Sequence, residues 1–336
     1  MSTLAPVVEP GRVPARWLVT GGSGFIGTNL VAELLRRHLP VLNLDNKTPL
    51  DVSHQACWRR ADVLDAAALR AAFADWRPTH VVHLAARAEC DETTTVEAGY
   101  RANTEGTTNV LEAIRQTPGV ACVIITSSQY VCGPDHFPKD MQDYGPHTVY
   151  GQSKVITEQL TRTARLPCAW TLIRPTNIWG PWHLRYRQEA WAVIRKGLYL
   201  HPAGKPVVRC YGYVGNIVHY ILKIPALPAS VVHGQTFYLG DPPLDIYEWA
   251  NAFSLGLTGR PARRVPRPIL RAIGGVGDLL GWCGLKFPLT TSRYRSMTSD
   301  YLCPMDATYA VLGPPPIGLQ QGVAETLAWL KRYGWT

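Results

Sequence analysis

The chain has 336 residues, 46% hydrophobic and 18% charged, with a formal net charge of +9. That length exceeds a usual single core, so one large domain with a smaller companion is expected. The positive charge is scattered, as in Trp182-His183-Leu184-Arg185-Tyr186-Arg187, with no dense basic stripe. Nucleic acid is therefore not an expected partner, and an anionic small molecule fits better.

No run of 18 apolar residues occurs, so a spanning helix is not expected. The eight cysteines (Cys57, Cys90, Cys122, Cys132, Cys168, Cys210, Cys283, Cys303) form no Cys-x-x-Cys pair and have no histidine at metal spacing. They read as reduced thiols of a cytoplasmic protein, with neither a metal site nor a disulfide framework. Residues 1–14 lack an apolar signal region and read as a disordered lead-in.

From residue 16 a strand, glycine turn, helix, strand unit is legible. Arg16 to Thr20 is apolar and leads into Gly21-Gly22-Ser23-Gly24-Phe25-Ile26-Gly27; a helix follows through Leu30, Leu34 and Leu35, then Val41 to Leu44, ending at Asp45. Glycines at 21, 24 and 27 permit a tight turn, close approach of a pyrophosphate and close helix-on-strand packing. The helix start offers amides and its positive dipole end to phosphates. Asp45, 18 residues past Gly27, suits the ribose hydroxyls of NAD and repels the extra phosphate of NADP, although Lys47 keeps NADP open.

The strand and helix alternation continues. Asp62-Val63 closes a third strand and meets the adenine. Thr79 to Ala86 is a fourth strand whose small end, Leu84-Ala85-Ala86, lets a cofactor lie against the backbone. Asn103 sits in a helix running to Ile114. Val120 to Thr126 is an unbroken apolar fifth strand of the buried parallel kind, ending in Ser127-Ser128. His147-Thr148 starts a helix carrying Tyr150-Gly151-Gln152-Ser153-Lys154. Positions i and i+4 share a helix face, so Lys154 is expected to lower the pKa of the Tyr150 phenol and make it a general base.

These motifs, Thr20 to Gly27, Asp45, Asp62-Val63, His83-Leu-Ala-Ala86, Asn103, Thr126-Ser-Ser128 and Tyr150-x-x-x-Lys154, stand in the order and spacing of the extended short-chain dehydrogenase/reductases. Within them the chain resembles the NAD-dependent epimerase/dehydratase family, in its nucleotide-sugar branch, closely over residues 15–240. The resemblance implies an α/β fold, a Rossmann-type doubly wound parallel sheet with a smaller C-terminal α/β substrate domain. It implies an NAD-binding domain over 15–175, with 211–240 returning to it through a seventh strand at Thr236 to Gly240. Residues 176–336 are then mainly substrate-binding.

It also implies roles. Ser128, Tyr150 and Lys154 would be catalytic. Gly21, Gly24, Phe25, Ile26, Gly27, Asp45, Asn46, Asp62, Val63, Leu84, Ala85, Ala86, Asn103, Tyr150, Lys154 and Pro175 would bind the cofactor. Arg87, Ser128, Asn177 and Arg209 would bind a nucleotide-diphosphate sugar, the Arg209 guanidinium suiting phosphate oxygens. Arg293 or Arg295 would add a second phosphate contact. The family usually has Asp where this chain has Asn216. The helices around 95–116 and 150–165 resemble the pair through which relatives form homodimers.

The related dehydratases carry an acidic residue or an Asp-Glu pair after the catalytic Ser/Thr. Here Gln129-Tyr130 stand there, and neither can act as a carboxylate, which leaves epimerisation ahead of net oxidation or ketoreduction. A hydroxysteroid-dehydrogenase-like enzyme and a non-enzymatic dinucleotide sensor are the remaining alternatives. The apolar stretch Pro266 to Leu285, flanked by Arg263, Arg264, Arg267 and Arg271, reads as a helix packed against the substrate pocket, with a membrane-surface helix as second reading.

Overall fold

The computed structural model describes residues 15–285, 287 and 289–335, so the lead-in expected over 1–14 lies outside the described residues. The first half builds β1 (Trp17–Thr20), α1 (Phe25–Arg36), β2 (Val41–Asp45), β3 (Trp58–Arg60), α2 (Ala66–Trp76), β4 (His80–His83), α3 (Val96–Gly99), α4 (Arg101–Arg115), β5 (Cys122–Thr126), α5 (Val149–Thr163) and β6 (Ala169–Pro175).

The second half adds β7 (Asn177–Trp179), α6 (Leu184–Gln188), α7 (Ala190–Arg195), β8 (Leu200–Pro202), β9 (Val208–Arg209), β10 (Tyr211–Tyr213), α8 (Val214–Lys223), α9 (Ala229–Val232) and β11 (Thr236–Leu239). It closes with β12 (Leu244–Asp245), α10 (Ile246–Thr258), β13 (Arg263–Val265), α11 (Arg267–Trp282), α12 (Thr291–Thr298), α13 (Asp306–Leu312) and α14 (Leu319–Arg332).

Seven strands form one parallel sheet in the order β11-β6-β5-β4-β1-β2-β3. The strand order reverses between β1 and β4, which opens a crevice at the strands' C-terminal ends. Side chains of successive strand residues leave opposite faces, and the apolar strands supply both layers at once. Leu18, Val81, Val123, Ile125 and Leu172 pack under α2 and α4 with Phe73, Val110 and Ile114. Val19, Val82, Ile124 and Ile173 pack on the other face with Leu30 and Leu34 of α1, Ile217 and Ile221 of α8, and Phe253 of α10.

The remaining strands make three two-stranded ladders, β10 with β7, β12 with β9 and β13 with β8. β11 crosses back to the outer edge of the large sheet, beside β6. Strand ends differ from the sequence reading by up to three residues. The fourth strand stops at His83, and Leu84 to Ala86 form the loop after it.

Candidate active site

The glycine turn is shaped by steric necessity at two positions. Gly21 has φ +74°, and a Cβ there would lie 2.5 Å from the Ala85 amide nitrogen; a Cβ on Gly27 would lie 2.2 Å from the Gly21 carbonyl oxygen. No other residue fits either place. Gly24 differs: a Cβ there would meet only the Gly21 oxygen, at 3.3 Å, so its outer side is open. Gly24 is also the N-cap of α1, without a side-chain cap and without an acidic residue in the first turn. The amides at this helix start remain available to an anion, with Phe25 and Ile26 packed against the core behind them.

The Asp45 carboxylate accepts hydrogen bonds from the Ser23 amide (3.0 Å) and the Lys47 amide (2.9 Å), which fixes it at the end of β2 beside the turn. Asn46 donates to Asp62 (3.1 Å), and Asp62 accepts from the Leu64 amide (2.9 Å). Val63 is buried against Gly106 of α4. These residues, with Leu84, Ala85 and Ala86 after β4 and Pro175 at the end of β6, all lie at the C-terminal edge of the sheet. The turn, the uncapped helix start and the acidic strand end together fit a dinucleotide.

The third part of the site is the start of α5. Thr148 is its N-cap, its hydroxyl accepting from the Gly151 amide at 2.9 Å. The Ser128 hydroxyl accepts from the Tyr130 amide (3.2 Å) and lies close enough to the Tyr150 phenol to favour its ionised form. Lys154 is buried and donates from Nζ to the Thr126 carbonyl (2.8 Å) at the end of β5. Asn103 ties α5 to the β4 loop: it donates to the Arg87 carbonyl (3.0 Å) and to Ser153 Oγ (2.9 Å), and accepts from the Arg87 amide (2.8 Å). Ser153 in turn donates to the Tyr150 carbonyl at 2.7 Å.

One expectation is corrected here. Burial pushes the Tyr150 phenol up rather than down, with the nearby Ser128 hydroxyl opposing. The Lys154 ammonium donates to Thr126, and burial draws its own pKa down to about 8, with Glu158 opposing.

The expected substrate residues divide. Asn177 lies on β7, paired with Tyr211 of β10. The Arg87 guanidinium is tied to Asp91 (2.8 Å) and the Gly99 carbonyl (3.1 Å). The Arg209 guanidinium, largely buried, donates to the carbonyls of Ser299 (3.0 Å) and Ser296 at the end of α12. It still lies near enough to Tyr130 and Tyr211 for its charge to favour their phenolates. Arg293 reaches the other way, to Glu189.

Several supports were not legible as site residues. Ser127 donates to Glu158 (2.6 Å), which is paired in full burial with Arg174 (2.7 Å); Tyr144 also donates to Glu158 (3.0 Å). The available signals were a lone arginine inside an apolar strand and an acid one turn past Lys154, since a buried charge demands a partner. Tyr130 stacks on His147 and stands edge-on to Tyr150 and Tyr301, forming one aromatic wall. Gln129 turns into the core and accepts from Cys303 Sγ.

The Asn216 departure also has a local cause. Its amide donates to buried Asp241 (2.7 Å) and the Ile317 carbonyl (2.8 Å), and its oxygen accepts from the Ile317 amide (3.0 Å). Burial raises the Asp241 carboxyl to about 6, so an amide rather than a second acid opposite it avoids like-charge repulsion.

The family model described as NAD dependent epimerase/dehydratase family matches residues 17–240. The chain belongs to this family, within the extended short-chain dehydrogenase/reductases. It is 30% identical over 308 residues to a Mycobacterium tuberculosis 3 beta-hydroxysteroid dehydrogenase/Delta 5-->4-isomerase, covering 85% of this chain and 79% of that protein. It is 28% identical to an Escherichia coli O157:H7 N-acetyl-alpha-D-glucosaminyl-diphospho-ditrans,octacis-undecaprenol 4-epimerase, over 93% of this chain and 94% of the other. In fold it is similar to Thermotoga maritima UDP-glucose 4-epimerase with UDP-glucose, at TM-score 0.73 and 20% identity over 95% and 99% of the two chains. As a family member the chain is an NAD-dependent enzyme of the epimerase and oxidoreductase kind.

Proposed function

We propose that the chain is an NAD-dependent epimerase of a sugar carried on a nucleoside diphosphate. The observation that carries this reading is that Ser128, Tyr150 and Lys154 gather where β5 ends, at the same edge of the sheet as the glycine turn, with no carboxylate at the two positions after Ser128. When bound, NAD supplies a hydride acceptor, and its positive ring charge favours phenolate over phenol. Tyr150 Oη would take the proton of a sugar hydroxyl and later return it, Ser128 Oγ would hydrogen-bond the same substrate oxygen, and Lys154 Nζ would hold the cofactor ribose. Gln129 and Tyr130 offer no acid to expel water, so the ketone is not dehydrated.

Asp45 supports NAD over NADP, because a carboxylate pinned beside the turn repels a ribose phosphate. Asn177 and Arg209 are assigned to the sugar diphosphate, Arg209 supplying its charge at the aromatic wall. A second reading, a polyprenyl diphosphate as carrier, is favoured by the nearly full-length likeness to the undecaprenol-linked 4-epimerase.

The test is a panel of UDP-, GDP-, CDP- and dTDP-sugars, a polyprenyl-diphosphate sugar and a 3β-hydroxysteroid. Product analysis is paired with absorbance at the NADH band. Interconversion of two epimers without net NADH change supports the proposal. Stoichiometric NADH turnover on a sugar or a steroid refutes it.

A further inference from the structure

The outer side of α11 carries no role in the reaction proposed above. Its inner side is narrow: Leu270, Gly274 and Gly277 are buried, and the glycines form a groove in which residues 289–291 lie. Gly277 admits the Leu289 carbonyl so closely that a Cβ would sit 1.9 Å from it. Asp278 accepts from the Thr291 amide (3.2 Å), so the one acid of α11 serves the junction with α12.

The opposite side is apolar too. Ile269, Ala272, Val276, Leu279 and Cys283 recur at spacings of three and four, forming one stripe along the helix. Ile269 is 51% exposed, Val276 54%, Leu279 60% and the adjacent Trp282 87%. Exposed Leu285 and Phe287 extend the patch past the end of the helix. A helix of sixteen residues showing solvent this much contiguous apolar surface needs an explanation.

Charge says what would cover it. Arg263 and Arg264 on β13 and Arg271 on α11 are exposed around the start of the helix. Arg195 and Lys196 at the end of α7, with Arg260 and Arg263 shortly before α11, line a cavity of about 270 Å³. Apolar residues on one face, cations at the margin and a tryptophan at the far end are the features of a helix lying in a lipid headgroup layer. Among the described residues no helix is long and apolar enough to cross a membrane, so this would be a surface contact.

We propose that α11 seats the protein on an anionic lipid bilayer, with Ile269, Val276, Leu279 and Trp282 in the headgroup region and the flanking arginines on lipid phosphates. The inference does not depend on the reaction assigned above. It does have a geometric consequence for it: α11 packs on α12, whose end is held by Arg209, so the bilayer contact is one helix away from the aromatic wall.

The experiment is sedimentation of the full chain with sucrose-loaded vesicles of phosphatidylglycerol and phosphatidylethanolamine, with phosphatidylcholine vesicles as the uncharged control. Binding to the anionic vesicles, weakened by salt, is expected. It should fall roughly tenfold in V276S/L279S/W282S and in R263E/R271E. NAD-induced thermal stabilisation, unchanged in both variants, establishes that they fold. No binding by the parent chain to anionic vesicles, or equal binding by the serine variant, overturns the proposal. Light scattering on the same samples gives the other refutation: an oligomer that the serine variant dissociates would mean that a second copy covers this face.

Discussion

Tyr150 and Lys154 are four residues apart, yet their surroundings ask different things of them. Tyr150→Phe removes one oxygen and leaves the ring between Tyr100 and Tyr130. It should retain NAD binding and lose about 10²–10⁴ in turnover, read by epimer exchange. Lys154 carries a cost instead. Its folded pKa of about 8 lies below the usual 10.5, so the native state gives up its proton first. Stability from this group is therefore complete above pH 10.5 and is lost as pH falls through 8. Lys154→Met should stabilise the free protein by up to about 3 kcal/mol at neutral pH, with the advantage over the parent closing between pH 8 and 10.5 in thermal melts. It should also weaken NAD binding. For Asp45, NAD should bind at least about tenfold tighter than NADP, and Asp45→Ala should narrow that gap in calorimetric titrations. Equal affinities in the parent chain would refute the assignment.

Elements place these residues by their ends. β5 stops at Thr126, and its last carbonyl receives Lys154, while the turn just after it presents Ser128 to Tyr150. The start of α8 shows how one position sets an element's neighbours. Asn216 holds Asp241 and the backbone of Ile317, linking α8 to the segment before α14. Asn216→Asp would set two buried carboxylates against each other and should cost roughly 3 kcal/mol at neutral pH. The Asp241 carboxyl is raised to about 6, so below that pH one acid of the pair is protonated and the loss should shrink. Melting temperatures from pH 5 to 8 measure this. A loss independent of pH would remove the like-charge account.

At the scale of the whole molecule, α4 and α5 pack side by side and leave a groove of about 190 Å³ lined by Leu111 and Leu160 with Thr108, Glu112 and Arg115. We propose that two copies pair through these helices as a four-helix bundle. Light scattering at micromolar concentration should give a dimer, and Leu160→Asp should give a monomer. A monomeric parent chain would dismiss the pairing. The same two helices carry Asn103 and Tyr150, so a dimer would brace the site from behind.

The order of strands, the glycine turn, Asp45, Thr148 as a helix cap and the Tyr150–Lys154 spacing were legible in the sequence by itself. Each is a local signal: a steric demand at Gly21 and Gly27, an apolar run buried on both faces, or a short polar side chain before a helix. Partner choice was not legible, because it joins residues far apart in the chain. Lys154 was expected to act on Tyr150, and the fold also places the Thr126 carbonyl within its reach. Arg209 read as a phosphate ligand, and tertiary packing adds the carbonyls at the end of α12 as partners of its guanidinium. Glu158 with Arg174, and Asn216 with Asp241, depend on crossovers that the sequence leaves open. The same holds for α11. The sequence marks it only as an apolar helix, and its packing against residues 289–291 decides which side is left to solvent.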